Sequence, residues 1–224
     1  AWEKACYREA YTSARGTVVE RYKDRVVIRG NLSVLAASVQ RIMDVGAVWT
    51  VDNGGGIRCA LEVCKNGEFP ELPRFGVRLF LDNRLCNVSY YGYGPMESYR
   101  DKHRAASHGL YRCGIEELHE DYIRPQENGS RFDCDYVELC GGKFGLAAAS
   151  EQKFSFQSSV YTQEELEQKA HNFELEASGS TVLCLDYAQN GIGSNSCGPK
   201  LRDRYRFDEN QFRFGFRLVP YVKG

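Results

Sequence analysis

The feature that most constrains this chain is two-residue alternation, clearest near the C-terminus in QFRFGFRLVPYV. Phe212, Phe214, Phe216 and Leu218 share one face, while Arg213, Gly215 and Arg217 share the other. A helix would scatter these residues around its circumference, so the segment reads as a half-buried strand. The same period runs through RFGVRLFLD, where Phe75, Val77, Leu79 and Leu81 alternate with Arg74, Gly76 and Arg78. Phe80 interrupts the polar series, and an apolar residue on that outer face predicts a second covering layer. Nearer the N-terminus, TVVERYKDRVVIRG reads as two strands around Lys23-Asp24. AVWTV and IRCALEV flank DNGGG at residues 52–56, where Asn-Gly tolerates positive φ and closes a hairpin.

Only YTQEELEQKAHNF has helical character. Thr162 and Glu165 supply the S/T-x-x-E capping pattern, and strong helix formers follow. Many short antiparallel strands with one short helix predict an all-β sandwich or barrel-like domain. A parallel α/β fold would need helices alternating with the strands, and they are missing. The chain reads as one domain over residues 1–224, with NGEFPELPRF at residues 66–75 as its only plausible seam.

Charge and cysteine usage narrow the functional classes. The 224 residues carry 29 basic and 30 acidic side chains, dispersed along the chain, so no nucleic-acid footprint is expected. No apolar run reaches membrane-spanning length, and the N-terminal residues lack a signal-peptide layout. The first residue is Ala1 rather than methionine, which suggests processing or excision from a longer polypeptide. Nine cysteines form no C-x-x-C pair and read as small buried hydrophobes in a reducing compartment, the cytoplasm, with the periplasm as alternative. Neither they nor the four histidines have metal-ligand spacing, so no metal or other cofactor is expected.

Three polar stretches remain. YYGYGPMESYRDKH sets Tyr90, Tyr91, Tyr93 and Tyr99 around Gly94-Pro95, with Glu97 and Asp101 four apart. It reads either as a sugar-stacking platform with hydroxyl-binding acids or, preferred here, as a strand end whose aromatics pack on a neighbour. YIRPQENGSRFDCDYVEL turns at Asn128-Gly129, and its Glu127 could join Glu97 as a glycosidase carboxylate pair. The favoured alternative has Glu127 capping backbone amides or pairing with Arg124 or Arg131. QNGIGSNSCGP, residues 189–199, is longer than a hairpin needs and follows Asp186 and Tyr187 at a strand end. Cys197 there has no recognisable histidine base, so the loop reads as one that presents small polar groups to a ligand or another domain.

Taken in order, ELPRFGVRLFLD, YGYGPMESYRDK, YIRPQENGSR and LDYAQNGIGSNSCGP closely resemble the C-terminal domain, or small chain, of the bacterial β-galactosidases of glycoside hydrolase family 2. The resemblance covers about residues 45–224, while the first forty or so match only in strand-like character. It implies an antiparallel β-supersandwich of the galactose-mutarotase-like type. It also implies catalytic glutamates on a preceding TIM barrel, so that this chain alone would not hydrolyse lactose-like galactosides. Ser194, Asn195, Ser196 and Cys197 would belong to a loop at the active-site mouth, with Cys197 where a well-known member has a stacking tryptophan. Tyr91, Tyr93, Glu97, Tyr99, Asp101, Glu127 and Asn128 would make sugar or interface contacts. Lys102 stands where the family motif has arginine, so a bidentate pairing would be lost. The implied partners are the remaining enzyme domains and, through the parent active site, galactosides. Faces left uncovered would promote self-association. The rival readings are an aldose 1-epimerase of the same fold and a free-standing carbohydrate-binding module using the tyrosine cluster.

Overall fold

A computed structural model describes residues 1–37, 40–192 and 201–223. The described strands are β1 (Tyr11–Arg21), β2 (Arg25–Leu35), β3 (Arg41–Asp52), β4 (Ile57–Lys65), β5 (Arg74–Asp82), β6 (Asn87–Gly94), β7 (Ser107–Gly114), β8 (Arg131–Gly141), β9 (Phe144–Ser159), β10 (Ser180–Gln189) and β11 (Gln211–Val222). Every pairing is antiparallel, and the main path runs β1-β2-β3-β4-β11-β9-β8-β6-β7. Both hairpins read from the sequence are present, at Tyr22–Asp24 and at Asn53–Gly56. In the second, Asp52 Oδ1 accepts from the backbone N–H groups of Gly54 and Gly56, each at 2.9 Å.

The sheet branches on β9. Its first half pairs with β11 through residues 144–149, and its last residues, 155–159, pair with β10, which carries β5 on its far side. The break coincides with bulges in β8, where the register against β9 shifts between Arg131, Cys134 and Tyr136. Asp133 takes φ +59° there, a conformation that aspartate tolerates better than most residues. The branch folds β5 and β10 over β11. Phe75 and Tyr187 meet Phe212 at ring-centroid distances of 5.0 and 4.6 Å, although β11 hydrogen-bonds to neither of their strands. Phe212, Phe214, Phe216 and Leu218 are all buried, as the alternation requires. They share one core with Phe154, Phe156, Leu183 and Leu185, so the strands pack as facing layers.

Three details differ from the sequence reading. The helix α1 spans only Gln163–Gln168, capped by Thr162 Oγ1 accepting from Glu165 N at 3.1 Å. The Glu165 carboxylate accepts from Glu176 N at 2.8 Å instead of closing the box, and Lys169 leaves the helix in an extended conformation. Short 3₁₀ turns at Ile115–Leu118, Asn172–Glu174 and Asp203–Tyr205 escaped a periodicity search, being too brief to show a period. Phe80 is not covered: it is 56% exposed, with the Arg78 guanidinium over its ring at 5.3 Å. The covering layer lies elsewhere, where α1 meets β9 and β10 through Gln163 bonds to Gln157 and Cys184.

The 66–75 segment joins β4 to β5 and is held at several points. Leu72 is buried and donates its N–H to Phe207 O, while Trp2 and Tyr7 bond the carbonyls of Glu71 and Pro70. The buried Lys65 ammonium is satisfied by the carbonyls of Phe69 at 2.8 Å and Asn66 at 3.2 Å. Among the described residues, no helix is long and apolar enough to cross a membrane, and no group of three or more His, Cys, Asp or Glu could hold a metal ion. The eight described cysteines are free thiols, and Cys59, Cys134 and Cys184 are buried.

Candidate functional site

The roots of the long glycine-rich segment are fixed on both sides. After β10, Asn190 N donates to Pro73 O at 2.9 Å, and Asn190 Oδ1 accepts from Phe207 N at 2.9 Å. Gly191 N reaches Tyr205 O, and Ile192 N donates to Asp101 Oδ1 at 3.1 Å. On the returning side, Leu201 is buried, its carbonyl accepts from Arg206 Nη2, and Arg100 Nη1 donates to Arg206 O at 3.0 Å. The two roots touch at Gly191, where a Cβ would lie 2.5 Å from Leu201 Cδ1 and 2.7 Å from the Asp101 carboxyl. The predicted loop residues Ser194, Asn195, Ser196 and Cys197 lie outside the described residues.

Beside these roots sits an ionic network that the sequence reading missed. Arg74 opens β5, and a bulge in β10 between Asp186 and Ala188 brings the Asp186 carboxylate toward it. Gly76, opposite Asp186, leaves the necessary room, since a Cβ there would lie 2.3 Å from Asp186 Oδ1. The pair is bidentate, with Arg74 Nε to Oδ1 at 2.8 Å and Nη2 to Oδ2 at 2.6 Å. Arg74 Nη1 also donates to Glu127 Oε2 at 3.3 Å and to Gln157 Oε1 at 3.2 Å. Gln157 Nε2 in turn donates to Asn128 O at 2.5 Å. Burial works against the guanidinium charge, but Asp186 and Glu127 outweigh it and keep Arg74 protonated well beyond its ordinary range. Glu127 is pushed the other way: burial raises its carboxyl, and Arg74 only partly compensates. Its Oε1 is buried without a hydrogen bond.

Glu97 is the saturated counterpart. Its Oε1 accepts from Lys102 Nζ at 2.5 Å and from the Tyr122 hydroxyl, and its Oε2 accepts from Gly129 N at 2.9 Å. Burial acts to raise this carboxyl, yet the bonds from Lys102, Tyr122 and Gly129 hold it below the usual range. Lys102 therefore serves as a point charge where a fork was implied. Gly129 takes φ +76°, and a Cβ there would meet Leu118 O at 2.5 Å, so this turn needs glycine. Asn128 fixes it further, accepting from Glu120 N and donating to Gln126 O.

The structure brings the proposed contact residues together only in part. Asp101 stands at the loop root, while Glu127 joins the Arg74 network. Glu127 pairs with neither Arg124 nor Arg131, because Arg131 is itself buried and spent on Tyr90 Oη and the carbonyls of Gly129 and Ser130. The tyrosines do not form one platform. Tyr90 and Tyr99 are buried, and Tyr93 packs on His103, His108 and Phe132. Tyr91 alone among them is 41% exposed, set edge-on to His108. Alternation explains this: on β6, Tyr90 faces the core and Tyr91 faces away. A small recess of about 90 Å³, lined by Tyr99, Arg100, Phe132, Asp133, Lys153 and Gln189, lies between this cluster and the loop root.

Comparison with known proteins settles the family. A family model described as the β-galactosidase small chain matches residues 1–218. The chain belongs to the β-galactosidase small-chain family. The match reaches the N-terminal strands, well beyond the residues 45–224 read from the motifs. A β-galactosidase of Actinobacillus pleuropneumoniae is 40% identical over 219 residues, covering 98% of this chain and 21% of that protein. One from Staphylococcus xylosus is 32% identical over 217 residues, covering 97% and 22%. The chain thus spans about a fifth of the length of these relatives. Among solved structures, a galactose 1-epimerase from Lactobacillus acidophilus superposes with a TM-score of 0.56 at 8% identity, covering 95% of this chain and 67% of that one. That likeness shows the galactose-mutarotase-like fold and nothing of activity.

Proposed function

We propose that this chain is the non-catalytic C-terminal module of a family 2 β-galactosidase, lending the Ser194–Cys197 loop to the mouth of an active site on a preceding barrel. The observation that carries this reading is the clamping of both loop roots by Asp101, Asn190, Tyr205 and Arg206. Flanking residues held by hydrogen bonds to the scaffold are what a loop that completes a binding site requires. The Arg74–Asp186 pair supports this arrangement by tying the strand that enters the loop to its neighbour. Packing of β1 supports a domain partner. Tyr11, Val18 and Val19 on β1 and Tyr22 just beyond it are each about half exposed, apolar surface of the kind another domain covers. In the parent enzyme the reaction would be hydrolysis of terminal β-galactosides with retention, carried out by two glutamates outside this chain.

The test is a hybrid in which residues 1–224 replace the matching fifth of the Actinobacillus pleuropneumoniae β-galactosidase. Hydrolysis of a chromogenic β-galactoside should persist, and replacing Ser194–Cys197 by four glycines should change KM or the response to the leaving group. A hybrid whose kinetics ignore that replacement would refute the loop assignment.

A further inference from the structure

We propose that a patch formed by Ile123 and Phe173 is where this chain docks on the remainder of its parent enzyme, against an apolar hollow edged with basic side chains. The inference rests on the module reading above and adds the surface through which the module is held. Phe173 is 81% exposed and Ile123 79%, the highest values of any large hydrophobic side chain among the described residues. Exposed apolar side chains scattered singly need no explanation, but these two adjoin, with Asn172 N donating to Ile123 O at 3.0 Å. The His171 ring stacks on Phe173 at a centroid distance of 5.2 Å and extends the patch.

Neither residue sits on a loose loop. Asn172 Nδ2 donates to Asp121 Oδ1 at 2.9 Å, Glu174 Oε2 accepts from the N–H groups of Ala170 and His171 at 3.0 and 2.9 Å, and Glu165 Oε1 accepts from Glu176 N at 2.8 Å. Large apolar side chains held out into water on backbone fixed in this way are preorganised anchors of the kind that fill a partner's pocket. Position points to the partner. Tyr122, next to Ile123, meets Lys102 Nζ at 3.3 Å, and Lys102 follows Asp101, which holds the loop root through Ile192 N. The patch is thereby tied to the root of the loop assigned to the active-site mouth, and the relatives carry most of their length outside the part that this chain matches. Charge argues against a second copy of the chain. Glu120, Asp121, Glu174 and Glu176 flank the two residues in sequence, against Arg124 and a Lys169 already paired with Glu165 and Glu176. A twofold contact would set acid against acid, and the same rim is complemented by basic side chains around the hollow.

The experiment compares the isolated chain with the hybrid in which it replaces the matching fifth of the Actinobacillus pleuropneumoniae β-galactosidase. Phe173→Cys and Ile123→Cys are made in both, and thiol labelling is followed peptide by peptide by mass spectrometry. The introduced thiols should label fast in the isolated chain and at least about tenfold more slowly in the hybrid, since access controls the rate. In parallel, the double variant Ile123→Ser with Phe173→Ser should leave the thermal unfolding of the isolated chain unchanged and lower the unfolding midpoint of the hybrid. Equal labelling in chain and hybrid, or a hybrid indifferent to the double variant, would overturn the proposal. Protection that appears in the isolated chain and grows with its concentration would overturn it in favour of a second copy. Hydrolysis of a chromogenic β-galactoside reads the module proposal separately. An active hybrid with unprotected thiols refutes the docking site alone, whereas an inactive hybrid with protected thiols supports the docking site and counts only against the loop assignment.

Discussion

Replacing Arg74 by methionine removes the partner of a carboxylate that has no water to turn to. The Asp186 side chain is only 2% exposed, and Arg74 supplies both bonds of its bidentate contact. Breaking such a buried pair from one side costs about 3–5 kcal/mol, mostly from the uncompensated charge left behind. The structure predicts an asymmetry as well. Asp186→Leu should cost less, because Arg74 would keep Glu127 and Gln157. The double variant, Arg74→Met with Asp186→Leu, replaces two charges by apolar groups and should recover at least about 2 kcal/mol relative to the sum of the singles. Urea denaturation monitored by fluorescence gives all four corners of this cycle. An Arg74→Met cost below about 1 kcal/mol, or additivity within about 0.5 kcal/mol, would refute the claim that this pair anchors β5 to β10.

Glu97 predicts a pH dependence with a definite sign. Its folded carboxyl lies below the ordinary value, so its contribution is present above about pH 4.3 and fades as pH falls through the folded value. Glu97→Gln should therefore destabilise the chain more at pH 7 than at pH 3, and equal losses at both would contradict the network. Tyr122→Phe removes one bond to that carboxylate and should cost about 1.5–3 kcal/mol by thermal unfolding. Gly141→Ala places a Cβ 1.5 Å from Arg84 O, a backbone atom that cannot rotate away, and should cost about 1–3 kcal/mol. Thiol labelling of the native chain should be fast at the exposed Cys64 and Cys86. At Cys59 and Cys184, which burial pushes up to about 12, labelling should wait for unfolding.

Much of the fold was legible because strand periodicity is a local signal. Phe212 to Leu218 announce their buried face without reference to any other segment, and Asn53-Gly54 announces its own turn. The branching of β9 was not legible, because a sixteen-residue strand that changes partners midway looks like any long strand. The covering layer was expected over Phe80 and lies over Gln157 and Cys184 instead, since one apolar residue says nothing about which helix reaches it. The motifs named Glu97, Asp101, Glu127 and Asn128 but missed Arg74, Gln157 and Tyr122. Arg74 looked like an ordinary outward residue in an alternating strand, and its partner Asp186 is 112 residues away. Only a contact between distant segments distinguishes it, and no spacing rule records that.

The most direct test of the central claim is to assay the isolated chain side by side with fresh α-D-galactose and a chromogenic β-galactoside, then to add the rest of the Actinobacillus pleuropneumoniae β-galactosidase lacking its matching fifth. A chain silent in both assays that restores hydrolysis on mixing is the predicted result. Accelerated mutarotation, or galactoside hydrolysis by the chain alone, would contradict it.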